Sequence, residues 1–247
     1  MTLKVDGLSK RFWEPARGEF LAASDISFSV GEGEIFGLLG PNGAGKTTTL
    51  RIIGTILKPT AGTAFLNDID ILADPEKARL SMGFLSSSTG LYDRLSPRET
   101  LRYFGKLSGL EGKLLEERID SLFAALDFKQ FADARCAKLS QGTRQKVSIA
   151  RSIIHNPKLM IFDEPATGLD VLATQAMHEF ILQSKRQGKC IVLSTHIMSE
   201  AEKLCDRIGI INDGKLLAQG TLSELRELTG ETYLEEVFVS VVRKNAT

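Results

Sequence analysis

The chain opens on alternation. Residues 3–12 (LKVDGLSKRF) and 25–30 (DISFSV) place apolar and polar side chains in turn, a period of two that predicts strands. EIFGLL (34–39), a short apolar run, and TAFLND (63–68) also predict strands. Two continuous apolar runs, LMIF (159–162) and CIVLS (190–194), contain β-branched residues and no polar break. They predict strands buried on both faces of a parallel sheet, joined by a helix over about 172–187. From roughly residue 88 to 157 the period becomes helical. There Ser96-Pro97-Arg98-Glu99 forms a capping box with proline in the first turn. Leu115, Ile119, Leu122, Phe123 and Leu126 share one face of a helix beginning near Lys113. Near the far end, Asn212-Asp213-Gly214 within IGIINDGKLLAQG predicts a hairpin. The pattern is α/β, a strand-and-helix core interrupted by a helical block.

Composition narrows the class. The chain has 247 residues, enough for one large α/β domain or one with an inserted subdomain. Its 31 basic and 31 acidic residues balance, which argues against a nucleic-acid partner. No apolar run approaches the roughly 18–20 residues that span a bilayer, and MTLKVDGLSK lacks the apolar core of an export signal. Cys136, Cys190 and Cys205 lack metal-ligand spacing, and an odd count suits a reducing compartment. The expectation is a soluble cytosolic chain whose membrane role, if any, comes through a partner.

The chemistry starts at residues 37–53, GLLGPNGAGKTTTLRII. Gly40-Pro41-Asn42-Gly43-Ala44-Gly45-Lys46-Thr47 fits G-x-x-x-x-G-K-[ST] in full. An apolar strand signal precedes it, and a helix signal beginning at Thr48 follows. Such a loop aims successive backbone N–H groups at a polyphosphate, extends a lysine to its terminal phosphates and offers a hydroxyl to Mg²⁺. The helix N-terminus adds partial positive charge. A glycine-rich turn alone would leave Lys46 and Thr47 without a reason.

Asp163 and Glu164 directly follow LMIF. Two adjacent carboxylates at the end of a buried strand call for a cation or a proton to move. Asp163 fits a Mg²⁺-holding role, and Glu164 that of polarising a water at the γ-phosphate. Upstream, LSQGTRQKVSIARSII (139–154) reads as a helix capped by Ser140, with Gly142 allowing close approach; hydroxyl, glycine and helix-end amides make a second phosphate-binding surface.

In this order the motifs resemble the nucleotide-binding subunit of ABC transporters over nearly the whole chain. GPNGAGKT resembles Walker A and LMIFDEP resembles Walker B with its catalytic glutamate. Leu139-Ser140-Gln141-Gly142-Thr143 resembles the LSGGQ signature, ATGLD (166–170) the D-loop, and STH (194–196) the switch-histidine loop. The resemblance implies one ABC ATPase domain over 1–247: a P-loop core with a mixed sheet, plus an α-helical subdomain at about 88–157. It implies ATP and Mg²⁺ as ligands and a head-to-tail homodimer. In that dimer Walker A of one subunit and the signature of the other enclose ATP, with Asp170 contacting the partner's site. It makes Lys46, Glu164 and His196 catalytic, His196 as the γ-phosphate sensor, and Thr47 and Asp163 metal-binding. Thr48 and residues 40–47 would bind ATP.

Phe12 matches the position of the family's adenine-stacking aromatic, with Trp13 and Phe20 as alternatives in the lengthened WEPARGEF stretch. One departure stands out. The family's Q-loop glutamine position, after MGFLS, is Ser87, too short to reach metal as glutamine does; Ser86, Ser88 or a water would have to assist. The C-terminal GTLSELRELTG and YLEEVF resemble the branch serving ABC-2-type exporters, and STGLYDRLSPRE is similar to its sodium-exporting, NatA-type members. The implied function is therefore an exporter ATPase, peripheral on the cytoplasmic side of the membrane and docked to membrane-spanning permease subunits. The competing classes are a soluble ABC ATPase such as one of iron–sulfur assembly, a chromosome-organising ATPase and a ribosome-acting ATPase. The second would need a long coiled coil, absent from the roughly 90 residues between Walker A and the signature. The third would carry two tandem cassettes.

Overall fold

The computed structural model describes residues 3–16, 18–86 and 90–245. Two sheets form its centre. β1 (Leu3–Glu14), β2 (Gly18–Val30), β4 (Ala61–Leu66) and β5 (Ile69–Asp70) make an antiparallel sheet in the order β2-β1-β4-β5. The second sheet has the order β10-β9-β3-β8-β7-β6, built from β3 (Ile35–Leu39), β6 (Met82–Ser86), β7 (Leu159–Asp163), β8 (Cys190–Thr195), β9 (Arg207–Asn212) and β10 (Lys215–Gly220). Its strands run parallel except for β10, which returns from β9 through the Asn212-Asp213-Gly214 hairpin. Asp213 and Gly214 both have positive φ, as the tight turn requires.

The two sheets bury their strands differently, and the sequence pattern says why. β1 hides Leu3, Val5 and Leu8 while Lys4 and Asp6 face out, the signature of a sheet covered on one side. β3, β7 and β8 are buried at every position, because both faces of the parallel sheet are covered. Phe28 of β2 stacks on Phe36 of β3 with ring centroids 4.5 Å apart, joining the sheets in one apolar core.

Helices α3 (Pro97–Leu107), α4 (Gly112–Ala125) and α5 (Gln141–Ile153) lie in sequence between β6 and β7. Ser96 and Glu99 close the capping box of α3, each side chain bonding the other's backbone N–H. The apolar stripe of α4 (Leu115, Ile119, Leu122, Phe123) packs with Val147 and Ile153 of α5 and with Met160 and Phe162 of β7. Helix α6 (Val171–Arg186) links β7 to β8, as the apolar runs on either side of it predict. The remaining helices are α1 (Lys46–Ile53), α2 (Pro75–Leu80), α7 (Met198–Leu204), α8 (Leu222–Thr229) and α9 (Leu234–Asn245).

Three features depart from the sequence expectation. MGFLS, expected only as part of a loop motif, is the edge strand β6, paired in parallel with β7. The first hairpin is longer than LKVDGLSKRF and DISFSV suggest: pairing continues through Phe12 with Phe20 and Trp13 with Glu19. Cross-strand contact between the half-buried rings of Phe12 and Phe20 sustains the pairing there. The short helix α2, capped by Asp74, lies in a stretch without apolar periodicity.

The register of the parallel sheet sets up the site. Leu39 pairs with Thr195 and Asp163 pairs with Ser194, so β3, β7 and β8 end side by side. The residues that follow all emerge at one edge, where open α/β sheets bind ligands.

Candidate active site

The phosphate loop leaves β3 at Gly40 and enters α1 at Lys46. A side chain on Gly40 would meet the Ile211 carbonyl, and one on Gly45 the Ala22 carbonyl. Gly45 also has φ +102°, a left-handed conformation that only glycine adopts without strain. It precedes α1 with no side chain capping the helix, so the first-turn amides remain available to an anion. Lys46 is only 4% exposed. Its Nζ donates to the carbonyl oxygens of Gly40 at 2.6 Å and Pro41 at 3.0 Å, and lies 3.4 Å from Glu164 Oε1. The cation is folded against its own loop.

Asp163 ends β7 fully buried. Its Oδ1 accepts the hydroxyls of Thr47, 3.0 Å away on α1, and Ser194, 2.8 Å away on β8. Glu164 follows in a left-handed conformation, φ +51°, a state costing a non-glycine residue about 1–3 kcal/mol and concentrated at functional sites. Its backbone N–H is held by the Ser194 carbonyl and hydroxyl. The turn aims the carboxylate across the loop: Oε1 lies 3.2 Å from His196 Nδ1, and Oε2 accepts the Thr167 hydroxyl at 3.2 Å. Burial works against charge on Glu164, but the hydrogen bond from His196 and the nearby Lys46 ammonium outweigh it. The carboxyl is held below its ordinary range, and ionised at neutral pH. Ser194 was legible only as part of STH; its role as a clamp on both carboxylate residues depends on strand register.

Lys46, Thr47, Thr48 and residues 42–45 line a cleft of about 560 Å³ together with Glu164. Its other end is aromatic. Phe12, Trp13 and Phe20 all line it, Phe12 and Phe20 with centroids 6.0 Å apart. The structure thus keeps all three rings as candidates for a base and gives none of them sole place.

The signature residues sit elsewhere. Ser140 caps α5, accepting from Thr143 N–H at 3.2 Å, and Leu139 to Thr143 do not line the cleft. The α5 side chain of Gln145 nevertheless reaches the Pro165 carbonyl, just past Glu164. A side chain on Gly142 would crowd Ala173 of α6, which accounts for the small residue there. Asp170 caps α6 through Ala173 N–H at 2.8 Å. Ser87, together with Ser88, lies outside the described residues. Ser86 is buried at the end of β6.

Three kinds of likeness bear on this geometry. A protein-family model described as ABC transporter matches residues 23–167. The chain is 40% identical over 220 residues to the ABC transporter ATP-binding protein NatA of Bacillus subtilis, spanning 89% of each. It is 35% identical over 237 residues to the doxorubicin resistance ATP-binding protein DrrA of Mycobacterium tuberculosis, covering 96% of this chain and 71% of that one. It spans less than half the length of some longer relatives. A solved structure titled as the ATP binding subunit of an ABC transporter superposes with TM-score 0.87 at 32% identity, covering 98% of this chain and all of that one. Matched by a family model over more than half its length and by ATP-binding subunits of similar size, the chain belongs to the ABC transporter family and is one of its ATPases.

Proposed function

We propose that the chain powers export by ATP hydrolysis in this cleft, as a head-to-tail homodimer docked to separate membrane-spanning subunits. The observation that carries the reading is the meeting of Lys46 and Glu164 in one cleft with an aromatic wall, with Asp163 bonded to Thr47 and His196 to Glu164 just behind its lining. ATP enters with its base against Phe12, Trp13 or Phe20 and its phosphates on the amides of residues 42–48. Lys46 leaves the carbonyls it now holds and turns to the β- and γ-phosphates. Glu164, ionised and steadied by His196, takes a proton from a water as that water attacks the γ-phosphorus and the bond to ADP breaks. His196 holds the γ-phosphate in line.

The donor set also fits Mg²⁺. Thr47 and Asp163 offer hard oxygens 3.0 Å apart. Two such oxygens suit an ion that keeps most of its waters and takes phosphate oxygens. When bound, the ion supplies charge neutralisation along the phosphates.

The signature lies outside its own chain's cleft, which supports a second subunit supplying Ser140 to Gly142 from across an interface. Ser140→Arg should therefore block hydrolysis without weakening ATP binding to the isolated chain. A mixed dimer of Ser140→Arg with Lys46→Ala carries both lesions on one composite site and leaves the other intact. Its expected turnover is a substantial part of the wild-type rate, whereas an inactive mixture would contradict sharing of sites.

Among the described residues no helix is long and apolar enough to cross a membrane. We place the chain peripherally, on the cytoplasmic side, with the permease seated near residues 87–92. Tyr92 is exposed there and packs edge-on to Tyr103. Export as the direction draws support from the resemblance of GTLSELRELTG and YLEEVF to the exporter branch, and sodium as the cargo from the resemblance of STGLYDRLSPRE to sodium exporters. Tyr92→Asp is expected to spare ATPase activity of the isolated chain and abolish ATP-driven sodium efflux from vesicles carrying the chain and its permease. Movement of another solute without sodium would retain the exporter and remove the cargo. ATPase activity with no membrane subunit recovered alongside the chain would favour the soluble alternative.

A further inference from the structure

Behind the loop that carries His196 lies a buried polar cluster that the reaction as described does not use. Glu200 on α7 is 4% exposed and His178 on α6 is 7% exposed. His178 Nε2 lies 3.1 Å from Glu200 Oε1, and against a carboxylate that nitrogen carries the proton. Glu200 Oε2 accepts the Thr195 hydroxyl. The same Thr195 oxygen accepts the backbone N–H of Ile197 at 3.0 Å. The residues on either side of His196 are thus tied through one hydroxyl, and that hydroxyl is tied to a buried carboxylate held by a histidine.

Burying these groups carries a desolvation cost that an aliphatic pair would avoid, so stability alone is a poor reason for them. Direction is a better one. The His196 side chain is 40% exposed, so packing constrains its ring only in part. Yet its Nδ1 must stay within reach of Glu164 Oε1, and small displacements of a catalytic group are costly in rate. We infer that Glu200 and His178 are positioning residues that hold the Thr195–Ile197 segment so that His196 meets Glu164. The cluster also ties that segment to α6, the helix that Asp170 caps.

The inference rests on the proposed role of His196, and the test separates the two. Single-turnover ATP hydrolysis with Mg²⁺ is measured on the full chain carrying His178→Met, which fills similar space without a donor, and His178→Gln, which keeps one. His178→Met is expected to slow hydrolysis about tenfold at unchanged ATP affinity, and His178→Gln to recover most of the rate. In a His196→Ala background, His178→Met should cost less than about twofold further, because the residue it positions is gone. Should His178→Met fail to fold, Thr195→Val cuts the same connection at nearly constant volume and is compared in both backgrounds. Equal proportional losses in the two backgrounds, or no loss at all, would overturn the positioning role while leaving His196 in place. Wild-type turnover by His196→Ala alone would refute the reading of His196 and the inference with it.

Discussion

Glu164→Gln is expected to bind ATP with wild-type affinity and hydrolyse it about 10²–10⁴-fold more slowly. The substitution preserves the shape of a side chain set by a left-handed backbone and by Ser194, so the cleft keeps its form. It removes the negative charge that faces His196 Nδ1 and Lys46 Nζ, and with it the only proton acceptor so placed among the residues lining the cleft. ATP should then persist in the site, and gel filtration with ATP and Mg²⁺ should show a species of doubled mass. The pH dependence follows the same residue. The folded-state pKa of Glu164 is depressed, so the base form is present through neutrality and is lost only as pH falls through that lowered value. Hydrolysis limited by Glu164 should decline only in strongly acidic solution. Unchanged turnover in the variant would move the base elsewhere.

Lys46→Ala is expected to weaken ATP binding by about 30-fold or more, as truncating one member of a buried charge pair costs about 2–5 kcal/mol. Two losses combine. The phosphates lose a cation, and Glu164 loses the ammonium 3.4 Å away, leaving a carboxylate that repels the γ-phosphate. The carbonyls of Gly40 and Pro41 lose their donor as well, so the loop has less to hold its shape without ligand. Isothermal titration with ATP and Mg²⁺ reads the affinity directly. Wild-type affinity in the variant would remove the phosphate-loop assignment.

How much of this was legible beforehand depends on where each residue's role is encoded. Gly40 to Thr47 carries its chemistry in consecutive positions, and the capping box at Ser96 and the hairpin at Asp213 are equally local. The stripe on α4 follows from helical period alone. Asp163 and Glu164 announced themselves as charges ending an apolar run, but their separate jobs come from geometry. Only the register of β7 on β8 brings Ser194 onto Asp163, and only a positive φ swings Glu164 away from its neighbour. The pairing of β6 was hidden because Gly83 leaves MGFLS with only three apolar residues and the sequence runs straight on into SSSTG, which reads as loop. His178 and Glu200 stand 22 residues apart on different helices, with nothing local to join them. Long-range polar contacts of this kind need the fold before they can be seen.

Trp13 offers the most direct test of the central claim, that ATP occupies the cleft between the phosphate loop and the aromatic wall. It is the chain's single tryptophan, 71% exposed, and it lines that cleft. Its emission therefore reports the cleft with no competing signal. Titrating the full chain with ATP and Mg²⁺ should give a saturable change in Trp13 fluorescence, and the same titration of Lys46→Ala should be nearly flat over that concentration range. A flat response from the wild-type protein, or the same saturation curve from both proteins, would contradict it.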